Sequence, residues 1–327
     1  MMAELSKKDL DILGKLEENA RIPLKRIAKS VHLSPEAVAY RIKKLESDGH
    51  IVRYHTIVNY FKVGFFKYKL YLRLKAPTPP LVEQICQYFK SNPHCEWVAH
   101  MSGRWDIIIG FIVPKPNDFA DEIESFMGQF SPHCLEKSIT QTLYLAHQPR
   151  AGIVHTAGQR IVYHTMLDQP HPIDELDRRI LRAIANNARL PVRQLALLVK
   201  STPRQVAYRM AKLEKDQIIL AYKAHLDPRV FGKTFHKLIL YLRATNKRKR
   251  EQFNLTCGQL PNVVWPQQVL GAWDYELDLD AADEDELYGT ISKIYSLFPD
   301  AILNHEQCAQ MKEYKLDLFP GALPAEK

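Results

Sequence analysis

Apolar positions in the first fifty residues recur at helical spacing. Ile12, Leu13 and Leu16 share one face after Asp9-Leu10-Asp11, and Leu24, Ile27, Ala28 and Val31 follow Pro23. Val38, Ile42 and Leu45 then follow Ser34-Pro35. Steps of three and four place such residues on one buried stripe, so the pattern predicts three helices. Ser34 as N-cap and Pro35 at the first helical position strengthen the third start. Ile51-Val52, Tyr54 and Ile57-Val58 alternate and predict a short two-stranded wing.

Beyond residue 60 the period changes. "FFKYKLYLRL" alternates like a strand, and a helical stretch follows near 81–90. Then come "EWVAHM", a turn at Ser102-Gly103, "WDIIIGFIV", a helical stretch near 119–130, and "LEKSITQTLYL". The order is βαββαβ, a ferredoxin-like split.

The whole arrangement occurs twice. Shifted by 168 positions, residues 19–51 and 187–219 agree at 16 of 33 sites, including "VAYRIKKLE" against "VAYRMAKLE". The same shift pairs Gly64 with Gly232 and "GRWD" with "GAWD". Two copies at so long a period mean duplicated domains, since a solenoid needs shorter and more numerous units. The predicted fold class is α+β: two copies of a winged helix-turn-helix, each followed by a ferredoxin-like βαββαβ effector domain. Predicted boundaries are 1–60 and 61–146 for the first copy, 173–232 and 233–320 for the second. A Pro-, Gly- and His-rich linker spans 147–172, where "RIVYH" could add a short strand.

The two central strands differ. "DIIIGFIV" is apolar on both faces and suits burial on both sides. "DYELDLD" carries Asp274, Glu276, Asp278 and Asp280 on one face, which must be solvated or meet something basic. The run "KRKR" at 247–250 is the candidate partner. Unequal sheets favour a specific, asymmetric pairing.

Charge follows the repeat. Residues 1–60 hold 11 basic and 8 acidic residues, and residues 169–232 hold 12 and 6, whereas 233–327 hold 11 and 14. Positive charge therefore concentrates in the helical modules, as a nucleic-acid contact requires. Five cysteines without a CxxC pair point to buried free thiols in a reducing compartment. The chain has no membrane-length apolar run and a polar, acidic start, which predicts a cytoplasmic protein at the nucleoid that makes no membrane contact.

Three helices and a wing form a winged helix-turn-helix whose third helix enters a major groove. Its outward residues are Glu36, Tyr40, Lys43 and Lys44 in one copy, and Arg204, Gln205, Tyr208 and Lys212 in the other. Arg reads guanine and Gln reads adenine, whereas Lys25, Arg26, Arg53, Arg193 and Lys223 suit phosphates. The caps Ser34 and Thr202 sit at the helix starts facing DNA. Arg41 and Arg209 are open between a phosphate contact and an ion pair with acids such as Glu46 and Glu214. Double-stranded DNA is the predicted partner.

With "SGRWDIII" and "LGAWDYELD" after these modules, the chain resembles the Lrp/AsnC family of transcription regulators. The resemblance covers about nine-tenths of the sequence. It implies DNA-binding domains, paired effector domains forming an intrachain pseudo-dimer with scope for higher assembly, and a small-molecule effector such as an amino acid. Carried over, the effector contacts are Gly103, Asp106, Gly271 and Asp274. The family's usual turn Gly is replaced by His32 and Lys200, and if that turn needs φ > 0 each replacement costs about 1 kcal/mol. Siroheme decarboxylases share this two-domain plan and occur as paired or fused subunits, but they differ at Gly-x-x-Asp. The expectation is therefore a regulator rather than an enzyme, without cofactor or metal; the alternative is a siroheme decarboxylase-like tetrapyrrole enzyme.

Overall fold

The computed structural model describes residues 5–150, 153–154, 161–163, 170–243 and 246–320. Most of the expected linker lies outside these residues. In the first copy α1 (Lys7–Glu18), α2 (Leu24–Val31) and α3 (Pro35–Ser47) follow the predicted stripe. The Ser34 hydroxyl accepts from the Ala37 amide at 3.1 Å. Strand β1 (Ile51–Val58) comes next.

A short wing hairpin was expected. Instead each copy supplies a single strand, and β1 pairs antiparallel with β7 (Ile219–Leu226) of the other copy. The wings thus form one shared ribbon. Its cores cross over as well: Ala224 and Leu226 of β7 pack on the first helical module, and Ile57 and Val58 of β1 pack on the second.

The remaining strands close on themselves. The first copy gives β2 (Phe66–Leu74), α4 (Pro79–Ser91), β3 (Cys95–Gly103), β4 (Ile107–Val113), α5 (Pro116–Phe130) and β5 (Cys134–His147). After the short edge strand β6 (Ile161–Tyr163), the second copy begins with α6 (Glu175–Ala185), α7 (Val192–Leu198) and α8 (Pro203–Lys215), ahead of β7. It continues with β8 (Thr234–Leu242), α9 (Lys247–Cys257), β9 (Val263–Gly271), β10 (Tyr275–Ala281), α10 (Glu284–Leu297) and β11 (Ile302–Leu316).

Strand order is β2-β4-β3-β11-β8-β10-β9-β5, and β5 also pairs with β2. The expectation of two separate ferredoxin-like domains is corrected to one shared eight-stranded barrel. Each copy keeps the βαββαβ order within its own four strands. The exposed edges β3 and β5 then find β11 and β9 of the other copy, which removes unpaired backbone from both seams.

The Gly-x-x-Asp motifs hold these seams. Gly103 has φ 108°, and a Cβ there would lie 2.5 Å from the Gln307 carbonyl oxygen on β11. Gly271 mirrors it, with a Cβ position 2.4 Å from the Ile139 carbonyl oxygen on β5. Asp106 Oδ2 accepts from the Leu74 amide and Asp274 Oδ2 from the Leu242 amide, each at 2.7 Å.

Alternation along the strands divides the residues between two environments. Leu70, Leu72, Ile107, Ile109 and Phe111 pack on α4 and α5, while Leu238, Leu277 and Leu279 pack on α9 and α10. Inside the barrel Tyr71, Trp105 and Trp273 form an aromatic plug, in one cluster with Ile108.

The acidic face of β10 also points inward. Glu276 binds Lys69 of the first copy and lies 3.4 Å from Lys237, Asp278 pairs with Lys237, and Asp280 pairs with Arg150. The 247–250 basic run opens α9 instead, so the expected neutralising partner is corrected.

Candidate functional site

Between the barrel mouth and the wing ribbon lies a cavity of about 310 Å³. Its roof carries His55 from β1 and His225 from β7, and its wall carries His147 at the end of β5 and Arg150 just beyond it. Trp97 and Trp265, which correspond across the repeat, both line it, as do the corresponding Lys69 and Lys237. The cavity therefore straddles the pseudo-twofold axis relating the copies.

The cations around it are committed. Lys223 pairs with Glu17 at 2.9 Å, Lys67 with Glu96 at 2.5 Å, and Arg229 with Asp227 at 2.8 Å. Arg53 holds Glu313 at 3.4 Å and donates to the Leu316 carbonyl oxygen at 2.8 Å. Two of the histidines, by contrast, hold ring nitrogens without a hydrogen-bond partner among the described residues: both nitrogens of His55, and Nδ1 of His147.

Burial dominates the acid–base state of this cluster. It pushes His55 down to about 3, helped by the charges of Arg53 and Lys223. His147 and His225 are likewise held well below the ordinary histidine value, chiefly by loss of solvent. All three imidazoles are neutral at pH 7, and each offers one donor and one acceptor nitrogen. The rings of His55 and His225 lie 5.7 Å apart edge to face, and His147 lies 4.3 Å from Trp265. Burial also lowers Lys69 to about 8, opposed by the Glu276 charge.

The sequence-predicted DNA residues fall into two groups. Lys25, Arg26, Ser34, Glu36, Tyr40, Lys43 and Lys44 are exposed on the first module. Arg193, Thr202, Arg204, Gln205, Tyr208 and Lys212 are exposed on the second. Four others point inward. Arg41 binds Asp9 at 2.7 Å, and Arg209 binds Asp174 at 2.6 Å and Asp177 at 3.2 Å, tying the third helix of each module to its first. Glu46 and Glu214, the acids considered for them, accept from Tyr54 and Tyr222 instead. Lys223 is 2% exposed and Arg53 reaches the barrel, so neither presents its charge to a phosphate.

The turn expected to need φ > 0 does so: His32 has φ 54° and Lys200 φ 51°. Of the expected effector residues, Gly103 lines a surface groove with His236, Tyr288 and His305, whereas Asp106 and Asp274 serve the strand ends.

Sequence reasoning missed the three cavity histidines as a site. A usable signal existed, because they break the repeat: His55 corresponds to Lys223, His225 to Ile57, and His147 to Lys315.

The AsnC-type helix-turn-helix domain matches residues 5–46 and 173–214. A proline dehydrogenase transcriptional activator of Rhodobacter capsulatus is 33% identical over 129 residues, covering 39% of this chain and 83% of that protein. The chain belongs to the Lrp/AsnC family. Its duplicated form is matched in solved structures by a different kind of protein. The siroheme decarboxylase NirDL superposes with a TM-score of 0.63 over 95% of this chain and 93% of that one, at 10% identity. The same enzyme in complex with an iron-uroporphyrin III analogue gives 0.60, over 95% and 92%, at 11% identity. At such identity the likeness is one of fold. The expectation that this chain is not an enzyme is nevertheless corrected, because the same full-length fold is carried by an enzyme. Among the described residues no helix is long and apolar enough to cross a membrane.

Proposed function

We propose that the chain is an enzyme of the siroheme decarboxylase type, acting on a carboxylate-bearing tetrapyrrole at the central cavity. The observation that carries this reading is the cluster of three neutral imidazoles at the meeting point of both copies, with both nitrogens of His55 and Nδ1 of His147 unpartnered among the described residues. Decarboxylation replaces a carboxylate by a proton. A carboxylate moved into a cavity walled by Trp97, Trp265 and already-paired charges loses its hydration, which favours departure as neutral CO2. A neutral imidazole passes a proton from one nitrogen to the other without a net charge change, so His55, His225 and His147 suit its delivery. At 310 Å³ the cavity is at the lower end of the small-molecule range. It holds the acidic edge of a tetrapyrrole, and seating a whole macrocycle requires the ribbon to lift. Titration with an iron uroporphyrin, followed by visible absorbance and headspace CO2, tests this. A flat spectrum with no gas released would refute it.

A second reading is supported by a separate observation, the exposure of Lys43, Lys44, Arg204, Gln205 and Lys212 on the third helices. These faces suit DNA, and their inequality predicts unequal half-sites. Retention on promoter DNA with a steep salt dependence supports this reading, and binding unaffected by salt contradicts it.

A further inference from the structure

The ion pairs that join the two copies have no mirror images. Lys69 on β2 binds Glu276 on β10, but the corresponding pair is Lys237 and Ile108. Arg150 binds Asp280, and the corresponding positions hold Leu318 and Ile112. Arg53 binds Glu313, where the mirror is Ala221 and Leu145. Lys223 binds Glu17, where the mirror is His55 and Ala185. The indoles repeat the asymmetry: Trp273 Nε1 donates to Glu276 at 3.0 Å, while its counterpart Trp105 has an indole N–H without a partner among the described residues.

We infer that the barrel interior is a matched, heterologous interface, so that each half accepts only the opposite half as its partner. Inside the barrel the first half contributes Lys69 and the pair Lys67–Glu96, a surplus of one cation. The second contributes Lys237 with Glu276, Asp278 and Asp280, and with Asp280 answered by Arg150 an excess of one acid remains. Together they are neutral, and the network is completed by Gln267, which accepts from Lys69 at 2.5 Å and donates to Asp278 at 3.0 Å. Thr140 of the first half donates to Glu276 at 3.1 Å. Two first halves would enclose at least two surplus lysines, and two second halves at least two surplus carboxylates. An uncompensated charge in a dry interior is strongly destabilising, so both homotypic barrels are excluded. The duplication has thus lost the self-complementarity that a symmetric dimer needs. Where halves exchange between chains, first still meets second.

The test uses full-length chains. Lys69→Glu and Glu276→Lys each put two like charges together, and each alone loses most of its folded monomer by size-exclusion chromatography. The double variant K69E/E276K restores opposite charges within one chain and regains the monomer. Refolding the two single variants together gives an exchanged dimer of twice the mass, because each half finds its complement only in the other chain. Single variants as well folded as the parent chain would overturn the inference. So would a double variant no better folded than the singles, or a mixture yielding no dimer.

Discussion

His55 and His225 meet edge to face with ring centroids 5.7 Å apart, each carried by the wing strand of a different copy. His55 is buried and His225 half-buried, and both are neutral because the wings pair over the barrel instead of standing free. With His147, they make the ribbon a joint between the helical modules and the cavity.

Their protonation is coupled to folding. The unfolded chain binds protons below about pH 6.5, while the folded chain resists until far lower, about 3 for His55. Stability is therefore fully present above about pH 6.5 and falls as pH drops below it, by up to about 1.4 kcal/mol per pH unit for each histidine. Between pH 6.5 and 4.5, before ordinary carboxylates titrate, urea midpoints should fall steadily. The slope should lessen in His55→Phe; a midpoint constant over this window would contradict the assignment.

If the imidazoles carry the proton, His55→Ala should slow CO2 release at least about 100-fold while leaving tetrapyrrole absorbance changes in place. Loss of binding with an unchanged turnover of what remains bound would place His55 in recognition instead.

The seam glycines should be intolerant. Gly103→Ala and Gly271→Ala drive a methyl group into backbone at 2.5 and 2.4 Å, and each should cost about 3 kcal/mol or more. Gly49→Ala is the control, since it shares a positive φ of 78° but meets nothing within 4 Å, and should cost only about 1 kcal/mol. Calorimetric Tm values would rank the three.

The left-handed turns offer the opposite sign. His32→Gly and Lys200→Gly relieve a strained φ of 54° and 51°, and each should stabilise the chain by about 0.5–1 kcal/mol. Denaturant midpoints that do not rise would show these turns to be relaxed by other contacts.

For the DNA reading, Lys44→Ala or Lys212→Ala should weaken binding across all sequences and reduce the salt slope by about 1. Arg204→Ala with Gln205→Ala should alter base preference at one half-site. Equal loss at both half-sites in a binding-site selection would rule out an asymmetric reader.

The sequence by itself determined the local elements and their duplication. Caps such as Ser34-Pro35 and Thr202-Pro203, apolar residues at helical spacing and strands in βαββαβ order are signals carried by neighbours within a few residues. It also showed that the β10 carboxylates needed solvent or a basic partner, but not which. Only the tertiary structure decided that β1 pairs with β7, that β3 and β5 find β11 and β9, and that Glu276 meets Lys69. Strand edges present the same backbone groups whichever partner they meet, so periodicity says nothing of who pairs with whom. The cavity histidines break the repeat, but that they form one site was hidden for the same reason. His55, His147 and His225 stand far apart in the chain, and only the closing of the ribbon over the barrel brings them together.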